Sequence, residues 1–227
     1  MKKYLFVSII LVVLLVGCAT KEQGKTEEQI TEKPAETIPQ QQETQPSAEV
    51  QEPEEIKTIP DDIKEVLELG KTKLKSYSYN YKSPGITEAY KLYVKGNKIK
   101  IVPPEIVNVE EGKFYNTIYI DTEKKTAEAY CIGYSDCTIN LGKIKDLNYA
   151  ESYIKTSLDW LEEVTEAQKI DERQVEGRNA LYLDTNIGKI TVESLYGFLY
   201  RIEDGDKIWE FSDAAFNSVS DSDVTPP

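Results

Sequence analysis

Few residues of this chain have the types and spacing needed for covalent or metal chemistry. The 227 residues include three cysteines and no histidine, which excludes His-dependent nucleophiles and all His-containing metal sites. Three cysteines are also too few for a zinc or iron–sulfur site held by four. Ser152 and Lys155 match the S-x-x-K spacing of penicillin-binding enzymes, but the companion S-D-N and K-T-G motifs are absent from the sequence. We therefore predict a protein that is not an enzyme, with no catalytic residue, no metal site and no cofactor.

Acidic residues dominate the charged side chains. Asp and Glu number 40 against 27 Lys and Arg, giving a net charge of -13. Such a surface repels phosphate backbones, so we expect no nucleic-acid partner. With this many carboxylates, close pairs arise by chance, and a pair alone does not indicate a glycoside hydrolase.

Cys131 and Cys137 are separated by five residues that include a turn signal at Gly133. The spacing favours a structural disulfide over a redox pair, because redox pairs usually have the spacing C-x-x-C. Two free thiols are the remaining alternative. The export signal at the N-terminus, described next, disfavours them because it implies an oxidising compartment.

The N-terminus combines Lys2 and Lys3 with the apolar run YLFVSIILVVLLV at 4–16. This run is shorter than the roughly 20 residues of a membrane-spanning helix and is typical of a signal peptide. The following Leu15-Val16-Gly17-Cys18 resembles the lipobox of bacterial lipoproteins. The resemblance implies a signal peptide at 1–17 and a diacylglyceryl group on Cys18, with acyl chains such as palmitate holding the protein to a membrane of the cell envelope. An uncleaved N-terminal anchor helix is the alternative, and either one predicts an extracytoplasmic domain.

The chain then changes composition twice. Residues 18–60 are rich in Glu, Gln, Thr and Pro, with ten Glu and four Lys, which predicts a disordered acidic linker. Residues 61–216 have the pattern of one folded domain, and 217–227 are predicted to be a polar tail.

The domain pattern is one helix, four or five strands, a second helix over 149–168 and about four further strands. Alternating runs such as SYSYNY and YKLYVKGNKIKI are joined by short turns, which favours one antiparallel sheet. We predict an α+β fold, in which a curved half-barrel of about 8–9 strands carries two helices against its concave face.

The runs KLKSYSYNY, NTIYIDTEKKTAEAY and LYGFLYRIEDGDKIWEFSDAAFNSV, in this order, resemble the LolA/LolB lipoprotein-localisation factors. The resemblance covers about 61–219 and implies a half-barrel that binds acyl chains or other hydrophobic ligands. No carrier residue of that family maps onto this sequence. The aromatic residues that we expect to line the groove lie on predicted strands or on the second helix: Tyr77, Tyr79, Tyr81, Trp160, Tyr196, Phe198, Tyr200 and Trp209.

These patterns predict a membrane-anchored lipoprotein whose half-barrel binds a lipid or other hydrophobic ligand. The alternative is a surface-tethered interaction or sensor domain whose core is filled by its own side chains and whose partner is an envelope protein. The two differ in cavity volume, because a ligand pocket needs about 300 Å³ or more.

Overall fold

The structure is a computed structural model that describes residues 58–133, 137 and 142–227. The predicted signal peptide, Cys18 and nearly all of the linker lie outside the described residues. The described residues belong to one unit, Pro53–Pro227. None of their helices is long and apolar enough to cross a membrane.

Four helices and thirteen strands form the described part of the chain. The helices are α1 (Asp61–Lys73), α2 (Tyr149–Ser152), α3 (Ser157–Glu162) and α4 (Asp221–Val224). The strands are β1 (Ser76–Lys82), β2 (Tyr90–Lys95), β3 (Lys98–Val102), β4 (Val107–Glu110), β5 (Lys113–Tyr115), β6 (Thr117–Asp121), β7 (Thr126–Cys131), β8 (Gly142–Leu147), β9 (Ala167–Val175), β10 (Arg178–Thr185), β11 (Gly188–Glu193), β12 (Leu199–Asp204) and β13 (Lys207–Phe216).

Eleven of these strands form one curved sheet in the order β8-β7-β6-β3-β2-β1-β13-β12-β11-β10-β9. Each neighbouring pair is antiparallel, as the short turns in the sequence predict. The sheet consists of two meanders that join where β1 pairs with β13, with Tyr81 opposite Phe211. The first and the last parts of the domain therefore meet at the centre of the sheet.

The predicted number of strands was too low. The segment after Pro103-Pro104 forms the small β4–β5 hairpin, which turns at Gly112 with φ of 76°, and Gly142–Leu147 adds an edge strand. The run GKITVESLYGFLYRIE is two strands, β11 and β12, because Gly197 turns the chain with φ of 64°. Only glycine adopts this backbone conformation readily.

One of the two predicted helices is confirmed, and the other is split into two short helices. The first is confirmed as α1, which begins with Asp61 and Asp62 and buries Ile63, Leu67 and Gly70. The second was wrong as one helix over 149–168, because its chain is extended at Tyr153 and Thr156 and splits into α2 and α3. Thr156 and Asp159 form a capping box that starts α3 anew.

The two sheet faces have different chemistry. We call the face that carries Tyr77, Tyr79 and Tyr81 the inner face, and the opposite face the outer face. On the inner face, a row of buried side chains crosses five strands in register: Tyr79, Leu92, Ile101, Ile118 and Ala129. Helices α1 and α3 pack over the β9–β13 half, while α2 and β5 pack against β7 in the other half.

The C-terminal segment that the sequence assigns to a polar tail packs against the outer face. Val219 and Val224 are buried, and α4 lies on β2 and β3. Ser220 and Asp223 form a capping box that holds this short helix.

Candidate functional site

The eight aromatic residues predicted from the sequence belong to the core between the sheet and its helices, or pack directly against it. Tyr79 is the centre of this cluster. Its ring centroid lies 5.5 Å from that of Phe198 and 5.7 Å from that of Phe211. Tyr77 and Tyr81 extend the cluster along β1, towards Phe198 and Phe211 respectively.

The other predicted groove residues continue the same aromatic layer. Trp160 of α3 meets Trp209 of β13 at 5.4 Å between centroids, and Tyr200 meets Phe198 at 5.3 Å. Tyr196 packs against Phe216 at 4.7 Å, a contact that the sequence reasoning missed. Aromatic pairs at these distances and tilts are favourable beyond their burial.

Most side chains of this layer are buried. The side chains of Tyr79, Phe198 and Phe211 are 0% exposed, and Trp160, Tyr196 and Trp209 are half-buried. In the described state, most of the predicted groove residues therefore contact one another.

An open cavity of about 360 Å³ lies beside the aromatic layer. Its apolar lining comes from Leu74, which directly follows α1, from one residue on each of β1, β2 and β3, and from Leu158 of α3. The strand residues are Tyr77, Val94 and Ile99. Lys75, Gly96, Thr122, Tyr153, Thr156, Asp159 and Glu162 complete the lining. The volume reaches the lower range of ligand pockets, about 300 Å³. We call this space the mouth cavity.

Three side chains at the mouth cavity form a fixed polar group. Tyr153 donates its hydroxyl hydrogen to Asp159 Oδ2 at 2.6 Å, and Thr156 Oγ1 donates to the same oxygen at 2.6 Å. The backbone nitrogen of Thr156 also donates to Asp159 Oδ2, at 2.6 Å. Three donors converge on one carboxylate oxygen, which holds the first turn of α3 at the cavity.

Burial raises the pKa of two tyrosines that line this cavity. Burial raises the pKa of Tyr77 far above its ordinary value. For Tyr153, burial is the first cause of a raised pKa, and the hydrogen bond to Asp159 is the second. Both phenols stay protonated at neutral pH and act as neutral hydrogen-bonding groups.

One polar atom of the helical cover lacks a hydrogen bond. The Nε1–H of Trp160 is buried and has no partner within the described structure. A buried unsatisfied donor costs about 1–3 kcal/mol.

The other residues that the sequence suggested for chemistry, the two cysteines and Lys155, are bonded or ion-paired with neighbouring side chains. Cys131 and Cys137 form a disulfide with a Cα–Cα distance of 5.4 Å, which confirms that pairing. Lys155 of the S-x-x-K spacing is ion-paired with Glu163 and lies 4.5 Å from the centroid of the Trp160 ring. Among residues 58–133, 137 and 142–227, no group of three acidic or cysteine side chains is placed to hold a metal ion.

Comparisons with known proteins give matches at the level of structure only. No family model matches the sequence, and no curated protein matches it. The chain is similar to the crystal structure of MucB, with 12% identity and a TM-score of 0.43 over 73% of this chain. It spans 61% of the length of MucB.

Two further solved structures are similar over comparable parts of the chain. LprF from Mycobacterium bovis has 12% identity and a TM-score of 0.42, covering 72% of this chain and 97% of its own. A LolA superfamily protein from Nitrosomonas europaea has 10% identity and a TM-score of 0.27, covering 71% and 96%. The structural neighbours of this chain thus include a LolA superfamily protein.

Proposed function

We propose that the domain binds a single-chain apolar ligand, such as a fatty acid or one acyl chain of a lipid, at the mouth cavity. The observation that carries this proposal is the cavity itself, about 360 Å³ with Tyr77, Val94 and Ile99 in its lining. An apolar chain gains free energy when it leaves water for such a surface, at about 25 cal/mol per Å².

Two polar side chains of the lining, Tyr153 and Lys75, would contact the head of an amphiphile, while Asp159 and Glu162 also lie at the cavity. Tyr153 is a neutral phenol beside Asp159, and Lys75 lies on the same rim. The Lys75 ammonium would attract a carboxylate head group, while the acyl chain extends under Leu158. A longer chain would displace part of the aromatic layer. Three polar atoms of that layer are buried without a hydrogen-bond partner among the described residues and would be available to such a ligand: the hydroxyls of Tyr79 and Tyr200 and Nε1 of Trp160.

We also propose that the mature chain is a lipoprotein anchored through Cys18 and exposed outside the cytoplasm. The support is the apolar run at 4–16 followed by Leu15-Val16-Gly17-Cys18. Replacing Cys18→Ser should abolish incorporation of labelled palmitate, because it removes the thiol that would carry the lipid. Equal palmitate incorporation into the variant and the wild type would overturn the assignment of Cys18.

A second candidate is an interaction domain that holds no ligand. It is favoured by the complete burial of Tyr79, Phe198 and Phe211, because any ligand beneath α1 would have to separate rings already in contact. In this case the partner would be an envelope protein.

The deciding experiment is native mass spectrometry of residues 58–227, purified without detergent and then mixed with palmitate. These residues contain the whole described sheet and its helical cover. A bound mass that is lost in organic solvent would support the ligand-binding domain. A clean unliganded mass, unchanged after incubation with fatty acids and phospholipids, would contradict it and leave the interaction domain.

A further inference from the structure

The outer face of the three strands at the centre of the sheet is lysine-rich. Strands β1, β2 and β3 contain no Asp or Glu. Their lysines alternate with the buried inner residues and so lie together on the outer face: Lys82, Lys91, Lys95, Lys98 and Lys100. In a chain with a net charge of -13, these five lysines form a local excess of positive charge. It is bordered by Asp121, which is opposite Lys98, and by Glu210, which is opposite Lys82. We call this surface the lysine face.

Tyrosine side chains lie between these lysines. Tyr93 is opposite Lys100 in the β2–β3 ladder, and the Lys100 Nζ lies 4.6 Å from the centroid of its ring. Tyr119 continues the same row on β6, opposite Lys100 on its other side. Lysine and tyrosine together are typical of surfaces that meet lipid head groups.

The acidic C-terminal segment of the chain already occupies part of the lysine face. Asp221 lies 3.2 Å from Lys95 Nζ. Lys100 and Lys95 both contribute to lowering the pKa of Asp223, although its hydrogen bonds to Ser220 are the larger cause. Val224 and Pro226 close a cavity of about 310 Å³ against Lys98 and Tyr119. The face therefore binds anionic groups within its own molecule.

We propose that the lysine face docks on an anionic membrane surface, and that the segment 217–227 competes for it. The inference rests on the membrane-anchor part of the proposed function, because the linker predicted from the sequence, as a coil of some 40 residues, would hold the domain at an average distance of roughly 35 Å from its membrane. At such a local concentration, weak electrostatic contacts are enough to orient the domain. Docking of the outer face would leave the helix-covered inner face and the mouth cavity directed away from the head groups.

The test is co-sedimentation of residues 58–227, which carry no lipid anchor, with vesicles of phosphatidylcholine alone or mixed with an equal amount of phosphatidylglycerol. We expect binding only to the mixed vesicles, and loss of that binding as salt shortens the screening length. The double variant Lys91→Glu with Lys100→Glu should weaken binding by at least about 25-fold, at about fivefold for each lysine. Asp221→Asn should strengthen it, because one competing carboxylate is removed.

The matched control is Lys189→Glu with Lys207→Glu, which makes the same change in net charge at exposed positions of β11 and β13. Wild-type binding to phosphatidylcholine alone, or equal losses in the two double variants, would overturn the proposal. Binding to polyglutamate without binding to the mixed vesicles would also overturn it and would indicate an acidic protein partner. The assay needs no apolar ligand, so its failure would leave the mouth-cavity proposal standing.

Discussion

Gly70 of α1 and Gly197 of the β11–β12 turn bring their backbones into direct contact. A Cβ placed on Gly197 would lie 2.7 Å from the Gly70 nitrogen and 2.5 Å from the Val66 carbonyl oxygen. A Cβ on Gly70 would meet the Leu158 side chain and would lie 3.1 Å from the Gly197 oxygen. Glycine at both positions therefore lets helix α1 lie against the turn while Leu158 of α3 packs beside them.

Replacing Gly197→Ala should destabilise the domain strongly. The residue has φ of 64°, which costs about 1–2 kcal/mol for any other residue, and backbone atoms that cannot move aside add about 1–3 kcal/mol. Gly205→Ala is the matched control, because Gly205 has φ of 57° but no atom within 4 Å of a placed Cβ. Urea unfolding should show a larger loss for Gly197→Ala, and equal losses would mean that the close contact has no energetic weight.

The disulfide should stabilise the domain through its short loop. Cys131 and Cys137 are six positions apart, so the chain-entropy model gives about 2 kcal/mol. Urea unfolding of residues 58–227 with and without dithiothreitol measures this difference directly, since the only cysteines in that range are the bonded pair. An unchanged midpoint after full reduction, verified by thiol titration, would show that the loop has no stabilising effect.

Lys75→Trp should block the mouth cavity. Lys75 is exposed and lines the cavity, so an indole there covers the entrance without entering the core. We expect at least about tenfold weaker binding of a fluorescent fatty acid, equivalent to about 1.4 kcal/mol, with an unchanged urea midpoint. Lys64→Trp, on an exposed position of α1 outside the cavity lining, is the control. Equal affinities of the two variants would place the ligand elsewhere.

The sequence predicted the antiparallel sheet well because its period of two is continuous along β1, β2, β3 and β6. It failed at the second helix, where apolar residues at helical spacing continue through Tyr153 and Ile154. The spacing of apolar residues cannot show that a new helix, capped by Thr156 and Asp159, is more favourable than one continuous helix. That preference depends on hydrogen bonds that form only in the folded chain. Gly70 is a second case: a glycine inside a helix usually weakens it, and only the structure shows that Gly70 allows a close packing contact.

The candidate site was predictable in its residue types but not in its position. Alternation along SYSYNY places three tyrosines on one face, yet it does not show whether they face a ligand or one another. That depends on the path of α1 and α3 across the sheet, which brings Trp160 to Trp209 from far apart in sequence. The position of the mouth cavity depends on the same path of α1 and α3 across the sheet, so the polar residues that line it could not be predicted from the sequence.

Alkaline conditions should unfold the domain through its buried tyrosines. Burial raises the pKa of Tyr79 well above 10, and nearby Tyr77 adds to the effect, so the folded phenol keeps its proton while the unfolded one loses it near its ordinary pKa of about 10. The unfolded state then binds fewer protons, and the stability present below pH 10 falls as the pH rises, by up to about 1.4 kcal/mol per pH unit for each such tyrosine. Tyr79→Phe removes this group with little change in shape and should give a shallower fall in urea midpoint between pH 9 and pH 11. Identical slopes for Tyr79→Phe and the wild type would show that Tyr79 ionises in the folded state as readily as in the unfolded chain.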